Sequence, residues 1–191
     1  MVPTLSAVLG VKGHRPVVGT RDDKDLVHAF GSAEWAGGRL VAGLLVTRAK
    51  ALRSARLAGR RRAVAKTRRM ADAFAAHLRR VGRAFPAAAH RRVVLVIDNA
   101  PWHRGPAVAA ALAANPHLGL YRLPAYSPHL NPIERLWKPL RRRATHNVLF
   151  DTVDDLARAV RAGLRHFRRV RRRVKAVLGN RPRKRTTISG P

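Results

Sequence analysis

The run VVLVI at Val93–Ile97 constrains the fold of this chain more than any other segment. Four of its five residues are β-branched, which favours a strand, and both faces of that strand are apolar. A strand of this kind is covered on both sides, so we predict that it is fully buried in a sheet with helices on each face. The sequence therefore predicts an α/β protein with Asp98 at the carboxyl end of a buried strand.

The segments around this strand predict the other layers of the fold. Two apolar runs, Leu26–Trp35 and Arg39–Thr47, flank Ala36-Gly37-Gly38 and indicate a β-hairpin, because glycine adopts the positive φ of a tight turn. Apolar residues at three- and four-residue spacing predict a helix over Met70–Phe85. Further expected elements are a helix over Gly105–Ala114, a strand over Leu118–Leu123, a helix over Asn131–Thr145 and a helix from about Thr152 to Val177 with a capping box at Thr152 and Asp155. This order predicts a mixed sheet covered by helices.

The charge of the chain points to a polyanionic partner. Lys and Arg number 40 against 10 acidic residues, which gives a formal net charge of +30. Because each phosphate that a basic side chain neutralises releases condensed counterions, nucleic acid is the simplest partner for a foldable chain with this charge. A GC-rich genome would also favour arginine and alanine, but codon bias alone would not remove nearly all acids. The segment Arg48–Arg69 holds ten basic residues and no acid, so we expect it to be solvated or phosphate-bound.

Several classes of site are excluded by what the sequence lacks. There is no cysteine, so disulfides, thiolate zinc sites and cysteine nucleophiles are ruled out. There is also no Walker loop, dinucleotide fingerprint, nucleophile elbow or HExxH motif. Met1–Leu9 lacks the basic and long apolar regions of a signal peptide, and no run is as long as a membrane span. We therefore expect a cytoplasmic, DNA-associated protein without membrane contact.

Asp98 is the first candidate ligand for a metal ion. In open α/β sheets, ligands bind in the crevice beyond the carboxyl ends of the strands, which is where this carboxylate is expected. The alternative is that Asp98-Asn99-Ala100-Pro101 is only a turn in which Asp98 bonds its own downstream backbone.

Glu134 is the second candidate, and it also has a structural alternative. Asn131-Pro132-Ile133-Glu134 fits an N-cap with an acid three residues later, so Glu134 could serve only as a capping residue. Capping does not explain the loop before it, in which Pro124, Pro128 and Pro132 recur at every fourth position. Such a loop fixes the start of the helix, as a preorganised site requires.

Two carboxylates on so basic a domain suggest phosphodiester chemistry. Mg²⁺ is held by one or two carboxylates plus substrate phosphate oxygens, and a pair of such ions activates a nucleophile and steadies the leaving oxygen. Glycoside hydrolysis uses the same residue types, but the charge argues against it. His103 could steer a phosphate or be an ordinary loop residue, while Trp102 and Trp137 could stack on bases or pack in the core.

The strand ending in IDNAPWH and the loop LPAYSPHLNPIERLWK resemble the catalytic domain of DDE superfamily transposases, in the bacterial insertion-sequence lineage related to mariner elements. The resemblance is specific over Val93–Arg143 and looser over Pro3–Thr47. It implies a ribonuclease H-like fold in which three acids bind two Mg²⁺ (or Mn²⁺) ions and drive strand nicking and strand transfer on double-stranded DNA. In that pattern Asp98 matches the second acid and Glu134 the third, with 35 residues between them. The residues then expected to line the site are Asn99, His103, Tyr126, Ser127 and Asn131.

The first acid of that pattern has no counterpart in this sequence. It should end a strand just upstream of Lys12–Pro16, and the nearby Asp22, Asp23 and Asp25 lie in a turn where it does not belong. The resemblance therefore implies a sheet whose first strand is missing or incomplete, and an N-terminally truncated chain that is inactive alone. Such a chain is a decayed copy, a mis-called start or the downstream half of a split reading frame, with a homodimer or an upstream transposase half as candidate partner.

We expect a truncated catalytic domain over residues 1–150, a basic helix packed on it over 151–180 and a disordered basic tail over 181–191. The alternative function is a non-catalytic basic DNA- or RNA-binding protein that keeps the fold as a scaffold. In either case the basic side chains expected to contact DNA are Arg60, Arg61, Arg62, Lys138, Arg141 and Arg142.

Overall fold

The computed structural model describes residues 25–48, 59–127 and 130–179. The expected first-strand region before residue 25 and the tail over 181–191 lie outside these residues. Within them, no helix is long and apolar enough to cross a membrane.

The predicted hairpin is confirmed. Strands β1 (Leu26–Ala33) and β2 (Leu40–Thr47) pair antiparallel, with Ala33 opposite Leu40 and Leu26 opposite Thr47. Gly38 in the turn has φ +72°, a conformation that glycine adopts without a steric penalty.

The helix that follows, α1, is longer than predicted. It runs over Gly59–Ala84, so it begins within the basic segment and not at Met70. Alanine and arginine are strong helix formers, and they extend the helix beyond its apolar stripe. That stripe contains Phe74, Leu78 and Val81, which are buried.

Strands β3 (Val93–Ile97) and β4 (Leu118–Arg122) form a parallel pair. They are joined by a 3₁₀ turn at Pro101–His103 and by helix α2 (Pro106–Ala113). Within the described residues the strands form two separate two-stranded sheets, one antiparallel and one parallel, so a mixed α/β fold is confirmed and a single mixed sheet stays a prediction.

The prediction that β3 is fully buried is wrong. Leu95 and Ile97 are buried against α1 and α2, but Val94 and Val96 are 57% and 45% exposed. The reason is that the described helices cover only one face of this sheet, so residues on the other face remain partly exposed to solvent.

Three helices complete the described fold: α3 (Glu134–Ala144), α4 (Val153–Arg169) and α5 (Arg171–Leu178). Helix α3 begins at Glu134, three residues later than predicted, with Ile133 as its N-cap. The capping box of Thr152 and Asp155 at the start of α4 is confirmed. The predicted single C-terminal helix is wrong, because the backbone leaves the helical region at Val170 (φ −116°, ψ +72°) and divides it into α4 and α5.

The hairpin lies between two apolar clusters. One cluster joins α1 and α2 to Val41 of β2 and to the buried face of β3 and β4. The other joins Leu40 and Ala42 of β2 to α3, α4 and α5. Helix α1 therefore packs on one side of both sheets, and α3 to α5 pack on the opposite side of the hairpin.

Candidate active site

Asp98 and Glu134 line the same cavity, whose volume is about 570 Å³. Asp98 follows the last residue of β3, and Glu134 is the first residue of α3. The fold thus brings the strand end and the helix start to one site although 35 residues separate them in the sequence. Both candidate ligands predicted from the sequence belong to this cavity.

Asp98 forms a turn by bonding its own downstream backbone, as the alternative interpretation of the sequence predicted. This turn leaves one oxygen of the carboxylate free to bind a ligand. Its Oδ1 accepts a hydrogen bond from the backbone N–H of Ala100 at 3.0 Å. No described residue donates to Oδ2, and the side chain is 54% exposed. The same turn that holds the side chain in place therefore leaves one oxygen open to a ligand.

His103 fixes the orientation of Asp98. Its Nδ1 lies 3.1 Å from the carbonyl oxygen of Asp98 and 3.2 Å from Oδ1, so Nδ1 carries the proton and donates. The ring is buried and lies 4.2 Å from the ring of Phe74, centroid to centroid. Burial lowers the pKa of His103, against the opposing effect of its hydrogen bond and charge interaction with Asp98, so the imidazole is neutral near pH 7. His103 therefore holds the turn at Asp98 together, and a role in steering a phosphate stays a prediction.

The carboxylate of Glu134 is not used in capping. The N-cap of α3 makes no side-chain hydrogen bond, and the backbone N–H of Glu134 donates to the carbonyl of Asn131 at 3.1 Å. Glu134 is exposed, and among the described residues no side chain donates to its carboxylate. Asn131 is buried beside it and also lines the cavity.

The other predicted lining residues lie at different places. Asn99 donates from Nδ2 to the carbonyl of Leu123 at 2.6 Å and so ties the end of β3 to the end of β4. Tyr126 is fully exposed with φ +55°, and the Ser127 hydroxyl donates to the carbonyl of Ala125 at 3.2 Å. Asn99, Tyr126 and Ser127 are outside the cavity wall, whereas Trp102 and Trp137 form part of it.

The side chains that could bind a magnesium ion meet the requirements of such a site only in part. Within the described ranges, no group of three or more His, Asp or Glu side chains could hold a metal ion. Two carboxylates on one cavity are nevertheless the usual protein contribution to Mg²⁺ sites in which substrate phosphate oxygens and water complete the shell. Asp98 and Glu134 match that pattern by oxygen chemistry.

Basic side chains lie next to this cavity. Lys138, Arg141 and Arg142 are exposed on α3, and Arg141 lines the cavity itself. Arg60, Arg61 and Arg62 belong to the first turns of α1, and their side chains lie outside the described part of the chain.

One pair of residues in the cavity wall was not predicted from the sequence. His77 of α1 is 1% exposed, and its Nε2 lies 2.8 Å from the hydroxyl of Ser32 in β1. Its Nδ1 has no partner within the described residues. Burial, followed by the charges of Arg80, Arg168 and His103, lowers the pKa of His77 to about 4. The signal in the sequence is its position three residues after Phe74, on the apolar stripe of α1.

Comparison with known proteins identifies the family. A protein of Sinorhizobium fredii (strain NBRC 101917 / NGR234), named uncharacterized protein y4pE/y4sA, is 35% identical over 85 residues, which cover 44% of this chain and 58% of the relative. Among solved structures, the Mos1 transposase in a paired-end complex with the left transposon end aligns with 93% of this chain and 52% of its own, at 17% identity and a TM-score of 0.48. This chain thus spans a little over half the length of each of these two proteins. The family described as DDE superfamily endonuclease matches residues 47–157, more than half of the chain. The chain therefore belongs to the DDE superfamily of endonucleases.

Proposed function

We propose that this chain is the catalytic domain of a DNA transposase of the lineage related to mariner elements, with a ribonuclease H-like fold. In this proposal Asp98 and Glu134 are ligands of the divalent ions that drive strand cleavage and strand transfer. The observation that carries it is that the two acids, in a chain of the DDE superfamily, line one cavity.

The chemistry follows from the oxygen ligands and the charge. Bound Mg²⁺ or Mn²⁺ supplies a Lewis acid that activates water or a hydroxyl and stabilises the leaving oxygen of a phosphodiester. Asp98 presents its free oxygen from a turn held by Ala100 and His103, and Glu134 presents its carboxylate from the first turn of α3. A side chain held in this way loses little conformational freedom when it binds a ligand.

The basic surface supports double-stranded DNA as the substrate. The ten acids can neutralise only ten of the forty positive charges, so a net charge of +30 remains to attract phosphates. Lys138, Arg141 and Arg142 lie within three turns of Glu134 on the same helix. We propose that they hold the DNA backbone beside the two carboxylates.

Metal binding tests the site without requiring catalysis. Titration of Mn²⁺ into the protein, followed by water proton relaxation, should show binding that Asp98→Asn and Glu134→Gln each weaken about tenfold or more. Asp154→Asn is the matched control, because Asp154 pairs with Arg48 at 2.7 Å and lies outside the cavity. Equal Mn²⁺ affinity in all four proteins would show that these two acids do not form the site.

Nicking of supercoiled DNA tests the activity. We propose that residues 1–191 alone cut DNA poorly, since the described part of the cavity provides two carboxylates and the family resemblance implies three. Any Mg²⁺-dependent nicking that is observed should disappear in Asp98→Asn and persist in Asp154→Asn. Nicking that survives both Asp98→Asn and Glu134→Gln would come from a contaminant or another site, and the assignment would fail.

A non-catalytic DNA-binding protein is the second candidate, and the absence of a three-acid group in the described ranges favours it. It predicts DNA binding whose affinity falls steeply with salt and does not change in Asp98→Asn or Glu134→Gln. Lys138→Ala and Arg142→Ala should each lower the slope of log K against log salt by about 1 in either case. Magnesium-dependent tightening of DNA binding that requires Asp98 would favour the enzyme over this alternative.

A further inference from the structure

Three basic side chains meet where α3, α4 and α5 pack together. Arg173 of α5 donates from Nη1 to Nε2 of His166 in α4 at 2.5 Å. Because a guanidinium group has no acceptor atom, Nε2 carries no proton and the imidazole is neutral. Arg143 lies in the last turn of α3, and its charge acts on the same imidazole. We call Arg143, His166 and Arg173 the three-helix basic cluster.

The break between α4 and α5 brings two members of the cluster together. In a continuous helix His166 and Arg173 would be about 10 Å apart along the axis, because each residue adds about 1.5 Å. The break at Val170 ends α4 and lets α5 take its own direction. Val174 and Leu178 then bury α5 in the apolar cluster that it shares with α3 and α4. The cluster therefore lies on helices that are held in place by their core packing.

The positive charge of this cluster is not balanced by acids. Within the described residues, no acidic side chain forms an ion pair with Arg143, His166 or Arg173. The sequence contains no Asp or Glu at all over Leu156–Pro191. Partial desolvation, followed by the charges of Arg143 and Arg173, lowers the pKa of His166. Like charges at this range repel each other until an anion binds among them.

Helix stabilisation accounts for only part of this cluster. Arg143 and His166 lie in the last turns of α3 and α4, where the helix dipole favours positive charge. Arg173 lies in the first turn of α5 together with Arg171 and Arg172, where the dipole favours acids, and this turn contains none. A bound anion would explain why arginines occur at this end of the helix.

The cluster faces away from the cavity that contains Asp98 and Glu134. At 3.6 residues per turn, Arg143 is turned about 180° around α3 from Glu134, to the side of Leu136 and Leu140. These two leucines pack against α4 and α5. None of the three basic residues lines the cavity. By the same spacing, the side chains proposed to hold DNA beside Glu134 share its face of the helix: Lys138, Arg141 and Arg142.

We propose that the three-helix basic cluster binds a backbone phosphate of a nucleic-acid segment other than the one held beside Asp98 and Glu134. Guanidinium groups bind phosphate oxygens through paired, charge-assisted hydrogen bonds, and a protonated imidazole adds a further donor. Exposed arginines of α4 and α5 extend the positive surface around the cluster: Arg165, Arg169 and Arg172. A surface longer than one phosphate favours a polyanion over a free phosphate ion. The site needs no metal and applies to both candidate functions.

Phosphate binding at this cluster takes up a proton. In the free protein the neutral His166 accepts a hydrogen bond from Arg173. A bound phosphate raises the pKa of His166, so Nε2 takes a proton from solvent and donates it to a phosphate oxygen, while Arg173 turns its donors to the phosphate. The charged groups that face His166 are Arg143 of α3 and Arg173 of α5. Because the free protein has the lower pKa, affinity rises as the pH falls from about 8 to about 6.

Fluorescence anisotropy of a labelled DNA duplex, at about 0.2 M NaCl and without divalent ions, tests the cluster in the full chain. The wild type should bind at least about threefold more tightly at about pH 6 than at about pH 8, and His166→Gln should lose this difference. Arg143→Gln and Arg173→Gln should each weaken binding at least about threefold and lower the slope of log K against log salt by about 1. Arg83→Gln is the matched control, because it removes one exposed charge from α1 on the other side of the hairpin. Losses no greater than that of Arg83→Gln would overturn the proposal.

Nuclear magnetic resonance of the His166 ring identifies the source of the phosphate. The duplex should raise the pKa of His166, whereas inorganic phosphate at about 1 mM should leave it unchanged, because one phosphate ion binds weakly. An equal rise with inorganic phosphate would assign the site to a free phosphate and overturn nucleic acid as its ligand. A rise with phosphatidylserine vesicles and none with the duplex would assign it to a membrane surface. An unchanged pKa in the presence of the bound duplex would refute the site.

Asp98→Asn separates this inference from the proposed function. It should leave the pH dependence of duplex binding unchanged, because the cluster lies on the opposite face of α3 from the metal cavity. If the cluster variants behave as expected and Mn²⁺ affinity does not depend on Asp98 or Glu134, the cluster stands and the proposed metal site fails. If His166→Gln keeps the pH dependence of the wild type, the cluster is refuted whatever the Mn²⁺ titration shows.

Discussion

Acid titration of His77 should control the stability of this protein between pH 4 and pH 6.5. The side chain is 1% exposed, lies among Phe30 and Phe74, and has Ser32 as its hydrogen-bond partner. Burial, then nearby Arg80, lowers its pKa from 6.5 to about 4. The folded state therefore keeps His77 neutral over a pH range in which the unfolded chain takes up a proton.

The direction and the size of this pH effect on stability follow from the linkage between proton binding and folding. Because the folded pKa is the lower one, the stabilisation by neutral His77 is fully present above pH 6.5 and is lost as the pH falls toward 4. Each pH unit within this window removes about 1.4 kcal/mol from the free energy of unfolding, and the whole window removes about 3 kcal/mol. That is a large part of the roughly 5–15 kcal/mol typical of a folded domain.

Urea unfolding at a series of pH values, on the wild type and on His77→Gln, measures this contribution. Glutamine keeps an amide that can bond to Ser32 and removes the titration. Subtraction of the two curves cancels the effects of His28 and His103, whose pKa values burial also lowers. Parallel curves for the two proteins between pH 6.5 and pH 4 would refute the reasoning, since the steep pH dependence would then not belong to His77.

Three further predictions concern the elements that position the site. Leu136→Ala, at a fully buried position of α3, should lower the free energy of unfolding by about 2–5 kcal/mol, whereas Leu149→Ala, at an exposed position, should change it by less than about 0.5 kcal/mol in urea unfolding. Thr152→Ala should lower the free energy of unfolding by about 1 kcal/mol, because it removes the cap of α4. Thr152→Ser should restore this stability, as measured by thermal unfolding. Gly31→Ala should cost about 1–3 kcal/mol, because a Cβ there would lie 2.6 Å from Trp137, and Trp137→Leu in the same chain should reduce this cost in a double-mutant cycle.

Each of these has an outcome that contradicts it. Similar losses for the two leucine variants would mean that α3 does not depend on its buried face. A neutral Thr152→Ala would show that α4 begins without help from its cap. Strict additivity of the Gly31 and Trp137 changes would show that β1 and α3 do not touch at this point.

Local pattern predicted the elements of this fold well. The hairpin follows from glycines between two apolar runs, and the start of α4 follows from the spacing of Thr152 and Asp155, since turns and caps depend on residues only a few positions apart. The same reasoning placed β3, β4 and α2 close to their observed bounds. It did not give the true start of α1 or the break at Val170, because helix ends depend on neighbouring elements as well as on propensity.

For the candidate site, too, the sequence predicted some features, and the structure was needed for others. Sequence motifs selected Asp98 and Glu134 together with their chemistry, and the resemblance supplied the family. They could not decide between a capping role and a free carboxylate for Glu134, because that depends on where α3 begins. Nor could they show that His103 turns back onto Asp98, which depends on the packing of its ring against Phe74.

The residue types along the chain thus specified the strands, turns, helices and the charge, all of which arise from interactions between near neighbours and from composition. Packing between distant segments alone placed Asp98 and Glu134 on the wall of one cavity, buried His77 and left Val94 and Val96 partly exposed. The sequence of an apolar strand does not show whether another strand pairs with it. Only the tertiary structure shows that, among the described residues, β3 pairs with β4 on one edge and with no strand on the other.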